Sequence, residues 1–128
     1  MRRFLLVIIS VTLGLAQDSL NYSSQMMNGR AWMILHEDAK TFYLGGLHDA
    51  MVAEAIVYFS SSDEVKKRWA SGFTVGDYLK ELDDLYKDRE NLLLPVPAAM
   101  RYCTDKLKGE RTKVDLEQEL IALRKLYR

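Results

Sequence analysis

Asp77, Glu81, Asp84 and Asp88 follow one another at steps of four, three and four. On a helix this spacing gathers four carboxylates within about 60° of one another. A row of like charges has two readings: a surface that attracts a basic partner and steers its approach, or an ordinary solvated outer face. His48 and Asp49, with Glu54 five residues further on, form a second group with chemical potential. An imidazole beside a carboxylate is suited to proton transfer or to holding a metal. The only other histidine, His36, lies twelve residues earlier, about 120° around a helix, which excludes a same-face i,i+4 ligand pair. A hydrogen-bonded polar pair at the edge of a helical bundle is the simpler account of His48-Asp49.

Two further candidates reduce to structure. Cys103 is the single cysteine and falls on a helical stripe with Ala99 and Leu107, so it reads as a small core residue rather than a nucleophile. Lys66-Lys67-Arg68-Trp69 sets three cations beside an aromatic ring. That is a weak attractor for anionic headgroups, and it reads as a core tryptophan with solvated neighbours. No catalytic residue, metal-ligand set or cofactor motif emerges, and the chain is expected to be non-enzymatic.

The elements that must position these residues are helical in period almost throughout. The pattern predicts a first helix over about Ser24 to Leu35, with Ala31, Trp32 and Leu35 inward, and a second from Glu37 to about Phe59. Ser60-Ser61-Ser62-Asp63 supplies a turn and cap for a short helix over about Glu64 to Ala70, closed by Gly72. Thr74 with Asp77 resembles a capping box. The helix it opens carries Val75, Tyr78, Leu79, Leu82, Leu85 and Tyr86 at helical spacing through to about Asp88. Pro95 and Pro97 force Asn91 to Pro97 out of the helix. Pro97 suits the first turn of a fifth helix, ended by Gly109. A last helix from about Asp115 buries Leu116, Leu120, Leu123 and Tyr127, with its acidic start and basic end matching the helix dipole.

The second helix has two apolar bands. Ala39, Phe42, Tyr43, Gly46, Ala50, Ala53 and Val57 fall within an arc of about 100°. Leu44, Leu47, Met51, Ala55 and Tyr58 form the other band, interrupted by Lys40. A helix with two apolar sides belongs in the middle of a bundle, with Gly46 and Ala50 at a close helix crossing and the Asn91 to Pro97 segment across it. Asp49 and Glu54 argue against reading Thr41 to Phe59 as a membrane span. The expected fold is therefore all-α, a single compact bundle of five or six helices around a long central second helix.

The chain as a whole reads as an exported protein. Arg2 and Arg3 precede the apolar run Phe4 to Leu15, and Gly14-Leu15-Ala16 offers a cleavage site before Gln17. Residues 1–16 are thus expected to be a signal peptide and residues 17–128 one helical domain, periplasmic because a lone cysteine makes no internal disulfide. The full chain has 18 basic and 18 acidic residues, and loss of Arg2 and Arg3 leaves the acidic ones in excess. That balance argues against a nucleic-acid partner.

Asn28-Gly29-Arg30, Trp32, Lys40, Tyr43-Leu44, Gly46-Leu47 and Asp49, then Thr74-Val75-Gly76, Leu82, Tyr86, Asn91, Pro95-Val96 and Met100, form a pattern that resembles small exported bacterial helical proteins of unknown function. More distantly, the Trp, Lys, Tyr-Leu, Gly and Asp series is similar to helical immunity proteins of the Rap/Tai type. That resemblance implies protection against a secreted toxic amidase. The expected function is a periplasmic binding protein, immunity-like, that meets a protein partner with a basic surface through Asp77, Glu81, Asp84 and Asp88. The rivals are a small enzyme with a pocket around His48, Asp49 and Glu54, and a structural envelope protein. A deep cleft at His48 would favour the enzyme.

Overall fold

The computed structural model describes residues 21–58 and 72–128, and of residues 55 and 58 the backbone alone. Two short antiparallel strands come first, β1 (Tyr22–Ser23) and β2 (Met26–Met27), with Tyr22 opposite Met27. Five α-helices follow among the described residues: α1 (Gly29–Ile34), α2 (Glu37–Tyr58), α3 (Val75–Tyr86), α4 (Val96–Lys108) and α5 (Lys113–Leu126). A single 3-10 turn, Arg89–Asn91, separates α3 from α4. The fold is mostly helical, consistent with the all-α expectation, with one short two-stranded hairpin added to it. The predicted signal segment 1–16, the predicted helix 64–70 and the Lys66–Trp69 cluster lie outside the described residues.

The hairpin replaces the first turns of the helix expected from Ser24. Ser24 and Gln25 sit at φ 51° and 63°, the left-handed pair that a two-residue hairpin turn requires and that a right-handed helix cannot accommodate. Asn28 then opens α1. Its side-chain oxygen accepts from the backbone N–H of Arg30 at 3.1 Å and of Ala31 at 3.4 Å, satisfying two donors at the helix start. Ala31 and Trp32 are buried as expected.

The second helix is regular up to Tyr58, the last described residue there, but among the described residues it is covered on one side only. Leu44 is buried and Leu47 and Met51 pack on the core, while α2 rests chiefly on α3. The other band points outward: Phe42 and Val57 are each 80% exposed, and Ala39, Gly46, Ala50 and Ala53 are exposed with them. Tyr43 alone of that arc is half-buried. A Cβ added at Gly46 would meet nothing within 4 Å, so the expected close crossing at Gly46 and Ala50 is absent among the described residues. Apolarity alone could not decide which band is covered. Lys40 decides it, because its ammonium reaches Asp83 of α3 and pins the Leu44 side against that helix. No helix of the described residues is long and apolar enough to cross a membrane.

The remaining helices follow their local signals closely. Thr74 and Asp77 form a reciprocal capping box on α3, and Thr112 and Asp115 form one on α5. Tyr78, Leu82 and Tyr86 are buried, Leu79 and Leu85 half-buried, and Val75 exposed. Pro97 occupies the first turn of α4, and Gly109 ends that helix at φ 64°. Ala99 and Cys103 face the core with Met100. Leu116, Leu120, Leu123 and Tyr127 lie half-buried on α5.

The Asn91 to Pro97 segment, expected across α2, makes its hydrogen bonds to the N-terminal unit, to α3 and, through Asn91, to α5: the Arg30 N–H donates to Leu92 O at 3.3 Å, Pro95 bridges to Asn28, Tyr86 Oη donates to Leu94 O at 3.0 Å, and Arg124 Nε donates to Asn91 Oδ1 at 2.8 Å. The core therefore sits between α1, α3, α4 and the segment joining α3 to α4, with α2 laid against one side.

Candidate functional site

The four carboxylates expected to form a partner surface do not share one open helix face. Asp77 closes the capping box, accepting from the Thr74 N–H at 2.7 Å and from Thr74 Oγ1 at 2.8 Å. Glu81 is turned to α4, where Lys106 Nζ lies 2.5 Å away, and its side chain is only 13% exposed. Asp84 sits between Lys80 at 3.6 Å and Lys87 at 2.6 Å. Asp88 lies beyond the end of α3 and caps the 3-10 turn through the Glu90 N–H, while Arg124 Nη2 reaches it at 2.7 Å. Each group thus has work within the fold. In place of one row of like charges the structure shows four separate contacts, two of them within α3 and its cap and two to α4 and α5.

Hydrogen bonds from the Thr74 backbone and hydroxyl hold the Asp77 carboxyl below its ordinary value. Those from the Thr112 hydroxyl and backbone do the same for Asp115. A lowered folded pKa stabilises the native state above the unfolded carboxyl value, about 4, and that contribution disappears as pH falls through the folded value. The stability gap between the wild type and Asp77→Asn/Asp115→Asn is therefore expected to be constant above about pH 5 and to close below about pH 4. Urea titrations across that range check it, and a gap that does not change with pH would contradict it.

His48 and Asp49 separate in their surroundings. His48 lines an open apolar cavity of about 130 Å³ with Leu44, Phe73, Val75, Tyr78 and Met100. Asp49 is 89% exposed and its Oδ1 lies 3.8 Å from His48 Nδ1, too far for a hydrogen bond. Glu54 is exposed. The cavity therefore brings one imidazole to an apolar wall without the carboxylates that acid–base chemistry would pair with it. His36 lies in solvent beside Asp38, 3.7 Å away. Among the described residues no three His, Cys, Asp or Glu side chains gather as a metal site. Burial in the core pushes the Cys103 thiol up to about 12, far from thiolate reactivity.

Two polar clusters escaped the sequence reading. Asp83 Oδ1 accepts from Trp32 Nε1 at 2.7 Å and from Lys40 Nζ at 2.7 Å, and the Lys40 ammonium stands 5.2 Å from the Trp32 ring centroid. Asn91, buried, donates through Nδ2 to Leu85 O at 2.7 Å and accepts from Arg124 Nε at 2.8 Å. Arg124 also holds Glu90 and Asp88. The one available signal was Asp83 itself, which neighbours Asp84 yet falls outside the carboxylate row. Asn28, Trp32, Lys40, Tyr86, Asn91 and Pro95, on which the family resemblance partly rests, all hold the fold.

Among the described residues, apolar side chains stand exposed on α5, at Val114, Ile121 and Leu126, and on the outward face of α2. Asp38, Phe42, Gly46, Asp49, Ala53, Ile56 and Val57 lie within about 120° of one another around the helix, and Ile56 is 61% exposed. From Phe42 to Val57 the face is about 22 Å long. Lys40 is the only Lys or Arg on α2, and it faces Asp83. Among the described residues, Glu37, Asp38, Asp49 and Glu54 have no Lys or Arg partner, whereas α3 pairs Glu81 and Asp84 with lysines. This face can exclude water from a partner's apolar side chains. Comparison with family models, with curated proteins and with solved structures gave no match.

Proposed function

We propose that this protein is an exported, non-enzymatic binding protein that docks another protein on the outward face of α2. One observation carries the reading: Phe42, Ile56 and Val57 are displayed to solvent on one regular helix whose opposite side is anchored in the core. Exposed apolar side chains that share one helix face mark contact surfaces, since covering them removes apolar area from water. The Rap/Tai-type resemblance makes protection against a secreted amidase the most specific form of this function. The docking face moves from the α3 carboxylates to α2, because each of the former already has a hydrogen-bond or ion-pair partner in the chain.

A photo-crosslinking amino acid placed at Phe42 or Val57 in cells should give adducts of discrete mass, while the same probe at exposed Arg101 on α4 should give none. N-terminal sequencing of the processed chain should begin at Gln17. Equal adducts at all three positions, or none, would remove α2 as the contact face, and recovery of an intact Met1 form would remove export by cleavage.

A further inference from the structure

We infer that the occupant of the α2 face is a basic amphipathic helix of another protein. This rests on the docking reading above and adds the chemistry of the partner. The first argument is charge. Asp38 and Asp49 lie on the face itself, in line with Phe42 and Ala53, and Glu54 is exposed to one side of it. No cation on α2 answers them, since Lys40 is turned inward. Elsewhere Lys80, Lys87, Lys106, Arg111 and Arg124 each sit on carboxylates. The face therefore combines apolar surface with unanswered negative charge. Lysines or arginines flanking a partner's apolar stripe would answer it and would speed encounter.

The second argument is shape. Cβ atoms built at Gly45 and Gly46 meet nothing within 4 Å, so the backbone is open next to Phe42. A ridge of side chains from a second helix can settle into that notch at close interaxial distance. An α2 face of about 22 Å accepts roughly four turns of helix. The same features disfavour the other occupants. A second copy would bring one acidic face against another, and an anionic membrane surface would be repelled.

The test uses the purified processed protein and two fluorescein-labelled 18-residue model helices, one of Leu and Lys and one of Leu and Glu, each with one apolar face. The Leu/Lys helix should bind saturably and more weakly as salt rises, and the Leu/Glu helix should not bind. Phe42→Ser/Val57→Ser should weaken binding at least tenfold and Asp49→Asn/Glu54→Gln several-fold, with unchanged circular dichroism. Asp84→Asn on α3 should leave binding unaltered. Equal binding of both helices, or no effect of Asp49→Asn/Glu54→Gln, overturns the basic partner while crosslinks at Phe42 keep the docking reading. Sedimentation showing a dimer that Phe42→Ser dissolves overturns it in favour of a second copy. Loss of crosslinks at Phe42 and Val57 overturns both readings.

Discussion

Gly29→Ala is expected to destabilise the protein by about 3 kcal/mol or more, against the usual direction of a glycine-to-alanine change in a helix. Gly29 is the first residue of α1, where alanine would ordinarily gain from helix propensity. Here a Cβ would lie 2.2 Å from Cδ1 and 2.5 Å from Cε1 of the Tyr86 ring. The ring has nowhere to go. Tyr86 is 1% exposed, and its hydroxyl is tied to Leu94 O. Overpacking of a fixed core site costs about 1 to 3 kcal/mol and sometimes more, and this contact falls at the severe end. Urea denaturation measures it. In a Tyr86→Leu background the cost of Gly29→Ala should shrink, because the two changes share one contact. A loss under about 1 kcal/mol in the wild-type background would show that α1 shifts freely away from α3.

What the sequence carried and what it lacked divide along the range of the interactions. Thr74 with Asp77, Pro97 and Gly109 each set a helix end through atoms a few residues away, and all three act as read. The hairpin was hidden because Ser24 and Gln25 adopt positive φ without being Gly or Asn, so no composition signal marked the turn. The placement of α2 was hidden for a different reason. Both of its bands are apolar, and the choice between them is made by a contact between Lys40 and Asp83, 43 residues apart. Likewise the carboxylate row looked free because its partners are remote: Lys106 lies 25 residues from Glu81 and Arg124 lies 36 from Asp88. Phe42, Gly46, Ala53 and Val57 of the α2 face were legible as part of an apolar arc, whereas Asp38, Asp49 and Ile56 were not. That they face outward is a tertiary fact, and it turns a predicted core into a candidate site.

Asp83→Ala should cost about 2 to 3 kcal/mol, the second large effect. Asp83 joins three helices at one oxygen, accepting from Trp32 of α1 and Lys40 of α2 while standing on α3. Trp32 is fully buried and the Lys40 side chain only 12% exposed. Truncation therefore leaves an indole N–H without its acceptor and an ammonium without its counter-charge. Breaking a buried ion pair by removing one partner costs about 3 to 5 kcal/mol. The Asp83 side chain is 42% exposed, so water enters and partly replaces it, which lowers the figure. Lys40→Met should cost less, about 1 kcal/mol, because the stem still covers Trp32 while Asp83 keeps its indole donor and its water. The two changes should be non-additive. Exposed Glu117→Ala should stay within about 0.5 kcal/mol, and an Asp83→Ala variant no worse than that would dissolve the cluster as a fold determinant. The consequence reaches the docking face. Lys40 and Asp83 fix which side of α2 looks outward, so Asp83→Ala should also weaken binding of the Leu/Lys helix at temperatures where the chain remains folded.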